Sequence, residues 1–395
     1  MKKILVLGGA GTIGSEVIKL LLERSEAKVI VADASAKGLK RVEAEHGNKV
    51  ETAGVDVNNR EAVVKLMKGA DIAISTVGPF YKTAVAIIKA AIEARCNMVD
   101  IDDDFDATKD ALELNEVARK AGITAIIGMG ASPGITNLIA KLGAGKLDKV
   151  NEIRLYWAES AIDPTGPAAM MHWFHITAEK VPAFIDGKWV EVQGFTEPEV
   201  IEFMPPVGKL EVVYTGHPEP VTLPRYIKGV KNVSIKGALY PPKMMELYRM
   251  LIDTGFGSNQ TFTVTETVSM PFRELAVRIL RSMPHFAPGY FKDILEDAVG
   301  KYEACAGTFK IVVSGRKGDK DTTYVYDLLA ADNVARSTAL PAVMAALTVL
   351  DGKVKETGVL APEGVLDTGM FFTEIAKEAK ARETMVESAP YINVK

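Results

Sequence analysis

The stretch GGAGTIG at 8–14 places Gly9, Gly11 and Gly14 in the spacing G-x-G-x-x-G, directly after an apolar run and at the start of a helical pattern. That arrangement suits a pyrophosphate. Gly9 permits a tight turn, Gly11 lets the backbone approach the phosphates without a Cβ in the way, and Gly14 lets the helix sit close on the strand. The helix start offers the amides of Thr12, Ile13 and Gly14, with a partial positive charge. The next strand pattern, KVIVAD, ends at Asp33, 19 residues past Gly14, where an acid would bind the ribose hydroxyls of an adenosine. A carboxylate there repels a 2′-phosphate, so NAD is expected ahead of NADP. Ser35, Lys37 and Arg41 lie nearby and soften that preference, leaving NADP open.

Ligands of open α/β sheets bind at the carboxyl ends of the strands. Asp56 and Val57 are expected beside the adenine, and Thr76, Gly78 and Pro79 of STVGPF (75–80) beside the ribose near the nicotinamide. Asp56 serves equally well as a helix cap. The acid run DIDDDFD (100–106) spaces carboxylates like a calcium loop, but Phe105 stands at position six where Gly is needed and Ala111 at position twelve where Glu is needed. Calcium is rejected. Asp100 or Asp102 would instead receive a cationic amino group or act as a base. The competing expectation is a solvated loop with an N-cap, above all for Asp103, Asp104 and Asp106.

A second glycine turn, GMGASPGITN, occupies 128–137. Ser132 suits an N-cap, Pro133 the first helical position, and Gly134 leaves the neighbouring amides uncovered. A second anion-attracting helix mouth is therefore expected over Gly134 and Ile135, facing a substrate carboxylate or the nicotinamide end. The alternative is an ordinary capped helix. Of the 5 histidines, His172 and His175 stand in HWFH, and His172 is the first choice for a base that titrates near working pH. Their spacing also hints at a metal, without an evident third ligand, or at a histidine packed beside Trp173. Arg225, in TLPR, would clamp a substrate carboxylate through its guanidinium fork, or simply lie on the surface.

The elements that must position these residues alternate regularly over 1–145. Strand patterns at 4–7, 29–32, 50–55, 72–77, 98–101 and 123–127 are separated by helical patterns at 13–24, 61–68, 83–94 and 112–121. Short apolar strands alternating with helices predict a doubly wound parallel sheet, a Rossmann domain. Beyond it the rhythm changes to β-rich segments at 153–158, 209–214, 261–268, 309–313 and 323–328, with helices at 244–252 and 334–350. This predicts an α+β second domain over 146–350. SGRKGDKDT (314–322) reads as a hairpin turn, and 351–395 as a segment ending in an amphipathic helix.

Bulk composition is that of a globular protein. The 395 residues are 48% apolar and 25% charged, with a net charge of −4 and no long basic block. Nucleic acid and anionic membranes are not expected partners. Two cysteines, Cys96 and Cys305, are too few for a disulfide framework or a zinc site. The N-terminus does not read as a signal peptide and no apolar run reaches the roughly 18 residues of a membrane helix. A cytoplasmic protein is expected.

GGAGTIG with Asp33, STVGPF, MVDIDDD and GMGASPGITN together resemble the saccharopine dehydrogenase-like family, the group of saccharopine reductases, lysine 6-dehydrogenases and carboxynorspermidine dehydrogenases. IEFMPPVGKLEVVYT (201–215), TLPR (222–225), ARSTALPAVMAA (335–346) and GVLAPEG (358–364) extend the likeness over nearly the whole chain. The resemblance implies a Rossmann domain, an α+β substrate and dimerisation domain, a C-terminal segment packing back toward the cofactor domain, and a homodimer. It also implies NAD(P)-dependent hydride transfer at a carbon–nitrogen bond of a basic amino acid or polyamine derivative. Two stretches depart from the pattern: GHPEP (216–220) replaces an expected Thr-Asp-Gly turn, and PTGPAAMMHWFHIT (164–177) matches no one member. Rival readings are a short-chain-type carbonyl reductase, whose Tyr-x-x-x-Lys pair finds only YPPK (240–243), and a non-catalytic dinucleotide sensor.

Overall fold

The computed structural model describes residues 1–161, 166–298, 307–330, 333–383 and 392–394, so Cys305 and the first residues of PTGPAAMMHWFHIT lie outside the described residues. The chain forms two compact units. One combines Met1–Leu142, Val221–Tyr226 and Ala335–Glu378; the other combines Gly143–Pro220, Ile227–Val334 and Ala379–Lys395.

The first unit is a doubly wound sheet. Its strands are β1 (Lys3–Leu7), β2 (Lys28–Asp33), β3 (Val50–Gly54), β4 (Ile72–Ser75), β5 (Asn97–Asp100) and β6 (Thr124–Ile126), and Gly358–Leu360 pairs parallel beside β6. The order is Gly358–Leu360, β6, β5, β4, β1, β2, β3. Parallel strands buried on both faces need apolar residues at every position, and β1 shows how these divide. Ile4 and Val6 pack with Val17, Ile18 and Leu21 of helix α1 (Thr12–Arg24). Leu5 and Leu7 point to the opposite face, with Val63, Ile87 and Ile88. The order reverses between β1 and β4, which opens a crevice at their carboxyl ends.

Three elements packed in the first unit differ from the sequence expectation. Ala36–His46 is a helix that escaped notice because only Leu39 and Val42 are buried, its start held by the Ser35 hydroxyl accepting from the Gly38 amide. The pattern at 112–121 is two helices, Phe105–Leu112 and Asn115–Ala121, so the acid run leads into a helix. Val334–Leu350, assigned above to the second domain, packs in the first unit. Its Ala339, Ala342, Ala345 and Ala346 are small enough for close contact with the α1 side of the sheet.

The second unit is built on a 9-stranded mixed sheet. Asn232–Tyr240 runs parallel to Lys149–Ser160, which pairs antiparallel with Gly307–Lys317 and through it with Lys320–Ala330. The SGRKGDKDT hairpin turns at Gly318, whose φ of 58° is left-handed. The segment at 261–268 is not one strand but a hairpin of Thr261–Thr265 with Val268–Pro271. Lys209–Tyr214 is paired on both sides, by Glu199–Glu202 and Asn232–Tyr240. Among the described residues no helix is long and apolar enough to cross a membrane.

Candidate functional site

The first glycine turn sits at the carboxyl end of β1, in the crevice. The left-handed residue that bends it is Gly8, with φ of 77°, rather than Gly9 as the motif alone suggested. Gly9 is required for another reason: a Cβ on it would lie 2.6 Å from the Val31 side chain of β2. A Cβ on Gly14 would meet the Gly8 carbonyl oxygen at 2.3 Å, so only glycine lets α1 start this close to β1. At Gly11 a Cβ would meet only the Gly8 carbonyl oxygen, at 3.2 Å, and no side chain caps the start of α1 there. The residues fit a dinucleotide: the amides of Thr12, Ile13 and Gly14 stand at a helix start without a side-chain cap, where they would hold its pyrophosphate.

Neighbouring strand ends frame that cradle. The Asp33 carboxylate accepts from the Ala10 amide at 3.1 Å and from the Ser35 amide at 2.8 Å, which tethers the turn to the end of β2. Arg41 reaches the same turn, donating to the Ala10 carbonyl at 2.6 Å. The Thr76 hydroxyl donates to the Leu7 and Gly8 carbonyls at 3.1 and 3.2 Å, joining β4 to β1. Gly78 and Pro79 follow as a half-buried loop ahead of the helix Phe80–Ala94. Asp56 is exposed and accepts from the amide and side chain of Asn58, so its carboxylate organises the local turn, while Val57 packs on the sheet.

The acid run is no solvated loop. Asp100, Asp102 and Asp104 are buried, linked by an amide relay in which Asp102 donates to the Asp100 carboxylate at 3.1 Å and Asp104 donates to that of Asp102 at 3.0 Å. Thr108 donates its hydroxyl to Asp102 at 3.1 Å, and the Tyr81 amide donates to Asp104 at 2.8 Å. Burial, followed by the nearby Asp100 and Asp104 charges, pushes the Asp102 carboxyl well above the ordinary range. Asp102, expected with Asp100 to receive a cationic amino group or act as a base, is a carboxyl held inside the turn by the Asp104 amide and the Thr108 hydroxyl. Asp100 reaches across to the second glycine turn, accepting from the Gly128 amide at 2.8 Å.

That second turn is closed. Its helix starts at Ile135, not at Pro133. The Gly134 amide donates to the Asn137 side chain at 3.1 Å and the Ile135 amide to the Gly130 carbonyl at 3.0 Å. The anion seat expected over Gly134 and Ile135 is therefore taken by the chain itself. Gly134 has φ of 119°, and a Cβ there would sit 2.1 Å from the Gly130 carbonyl oxygen. Valine at 134 would break the turn rather than cover its amides.

Asn137 leads to a residue the sequence reading missed. Its amide nitrogen donates to the Thr222 hydroxyl at 3.1 Å, and Thr222 and Asn137 both adjoin Glu363. Glu363 is 1% exposed, and burial raises its carboxyl above the usual range against the opposing pull of Thr222, its own amide and Asn137. PGITN, TLPR and GVLAPEG thus meet at one buried polar cluster in the first unit. The signal was a glutamate inside an apolar run just past a strand.

The remaining predicted residues separate. Arg225 belongs to the first unit and is exposed, its Nε donating to the Val221 carbonyl at 3.3 Å. His175 pairs through Nδ1 with Arg273 at 3.1 Å, and the buried Arg273 also binds Glu179 at 2.9 Å, which makes His175 part of the packing. His172 is half-buried in the second unit, its ring 5.4 Å from that of His217.

A doubly wound sheet with a glycine cradle at its switch point defines a dinucleotide-binding oxidoreductase fold. The family model described as the saccharopine dehydrogenase NADP binding domain matches residues 4–126, and that of the saccharopine dehydrogenase C-terminal domain matches 182–382. The chain belongs to the saccharopine dehydrogenase family. It is 25% identical over 387 residues to a carboxynorspermidine synthase of Vibrio cholerae, covering 88% of this chain and 87% of that one. The solved saccharopine dehydrogenase (L-Glu forming) of Saccharomyces cerevisiae shares the fold, with a TM-score of 0.66 at 17% identity, over 100% of this chain and 99% of that one. The cofactor is a nicotinamide dinucleotide. The family's name weighs for NADP over the NAD expected from Asp33, and the geometry accommodates this: the Asp33 carboxylate is drawn in toward two backbone amides, and Arg41 stands beside the turn.

Asp100 supplies a test of this edge of the sheet. Burial pushes its carboxyl up to about 6 from the ordinary 3.8. A carboxyl that keeps its proton to higher pH in the folded chain favours the fold at low pH, and that contribution is lost as pH rises from 3.8 through about 6. Asp100→Asn keeps an oxygen for both amides and does not titrate. Its melting temperature should therefore fall less over that window than that of the unmodified protein. Parallel curves would contradict the assignment.

Proposed function

We propose that this protein transfers a hydride at a carbon–nitrogen bond of a basic amino acid or polyamine derivative. The observation that carries the reading is the likeness along 88% of the chain to a relative named carboxynorspermidine synthase. In the reductive direction a primary amine and an aldehyde condense to an imine and water. A hydride to the imine carbon and a proton to its nitrogen then give a secondary amine. The nicotinamide dinucleotide, when bound, supplies or takes up the hydride. The chain's own part is to cradle the pyrophosphate on the α1 amides, to fix the strand ends through Asp33, Thr76 and Asp100, and to move the proton. For the proton we assign His172, whose imidazole type titrates near neutral pH and which is half-buried rather than sealed like Asp102.

The short-chain alternative loses support from the fold. Tyr240 ends a strand and Lys243 lies in the next helix, Pro242–Asp253, so the two do not share a helix face. Dinucleotide oxidation should require an amine together with an aldehyde, scanned across amino acids and polyamines with both NADH and NADPH. Turnover with aldehyde alone would indicate a carbonyl reductase, and dinucleotide binding without any turnover a sensor.

We propose a homodimer formed through the second unit. Support comes from the Thr261–Thr265 and Val268–Pro271 hairpin, a separate two-stranded sheet with Val264 44% and Val268 41% exposed, since such a ribbon is marginal in water by itself. Solution scattering should return twice the chain mass. A monomer mass that does not change with concentration would contradict this.

A further inference from the structure

The helix Val334–Leu350 begins with a charge of the wrong sign. Its first turn holds Arg336 and no acid, although the positive end of a helix favours carboxylates and disfavours cations. Arg336 reaches instead to Glu16 of α1, 320 residues earlier in the chain. Its Nη1 donates to Glu16 Oε2 at 3.5 Å, and its Nη2 stands 3.7 Å from Glu23 Oε2. Lys19 donates to the other oxygen of Glu16 at 2.9 Å and lies 4.0 Å from Glu45, which shares its charge. The side chains of Glu16 and Arg336 are only 16% and 14% exposed, so water screens this pair weakly.

Glu16 stands about one turn behind the phosphate seat. At about 1.5 Å of rise per residue, its Cα lies roughly 3 to 6 Å along the axis from those of Gly14, Ile13 and Thr12, inside the roughly 10 Å over which charges act at about 0.1 M salt. A bare carboxylate there would oppose a pyrophosphate. We infer that Arg336 is a positioning residue for the dinucleotide: it neutralises Glu16, so that the start of α1 keeps a field attractive to phosphate. Glu16, Glu23, Lys19 and Arg336 balance, and without Arg336 one negative charge is left beside an anionic ligand. Nothing in this depends on the amine substrate, because dinucleotide binding reads it without turnover.

Calorimetry on the full chain with NADH and with NADPH, at about 50 mM and about 500 mM salt, tests it. At low salt Arg336→Gln should weaken both dinucleotides alike, by about threefold to tenfold, and high salt should shrink that loss. Glu16→Gln should do the opposite and tighten both, because it removes the opposing charge and leaves Arg336 in place. A merely structural ion pair would behave otherwise, since its loss from either side would weaken binding. Glu16→Gln also decides alone if Arg336→Gln does not fold. Unchanged affinity in Arg336→Gln, unchanged or weaker binding in Glu16→Gln, or a loss in Arg336→Gln confined to NADPH would overturn the assignment. The last of these would put Arg336 on the 2′-phosphate instead.

Discussion

Gly14 has no side chain because the Gly8 carbonyl oxygen lies 2.3 Å from where its Cβ would be. The dinucleotide cradle depends on that approach. It lets α1 begin directly over the end of β1, so that uncapped amides face the crevice where the strand order reverses. The surrounding contacts preserve it. Asp33 and Arg41 hold the turn from the β2 side, and the Thr76 hydroxyl holds it from β4. None of these side chains covers the start of α1, so the electropositive end stays available to phosphate.

Farther along the same edge the sheet is closed by acids rather than opened by them. Asp100 binds the Gly128 amide, Asp102 binds the Asp104 amide and the Thr108 hydroxyl at the start of the helix Phe105–Leu112, Asp104 binds the Tyr81 amide at the start of Phe80–Ala94, and Glu363 lies past the carboxyl end of Gly358–Leu360. Burying carboxyls raises their affinity for protons, which lowers the cost of keeping them inside. The two glycine turns that look alike in sequence therefore do different work. The first leaves its amides outward, and the second spends them on Asn137 and Gly130.

Most of the first unit was legible because parallel strands buried on both faces must be apolar throughout, and the glycine motif carries its mechanism in its spacing. Legibility failed where local chemistry imitates another purpose. Ser132-Pro133-Gly134 reads as a capped helix start, yet the left-handed Gly134 and the Asn137 side chain make it a closed turn. Alternating aspartates read as a solvated loop, because sequence does not show which carboxylates find buried amides. Ala36–His46 was missed because a helix covering a sheet edge needs only two buried residues. The alanine-rich helix Val334–Leu350 was recognised, but nothing local to it says on which unit it packs. His217 and Glu219 drew attention only as a departure from a family pattern. The His217 ring stands 5.4 Å from that of His172, a proximity that no local pattern shows.

The central claim is that the first glycine turn, and not the second, takes the phosphates. A crystal structure with the reduced dinucleotide bound tests it most directly. The account predicts the pyrophosphate over the amides of Thr12, Ile13 and Gly14, with the adenosine ribose at the end of β2 beside Asp33 and Arg41. A pyrophosphate seated on the 128–137 turn, with the amides of Gly134 and Ile135 released from Asn137 and Gly130, would contradict it.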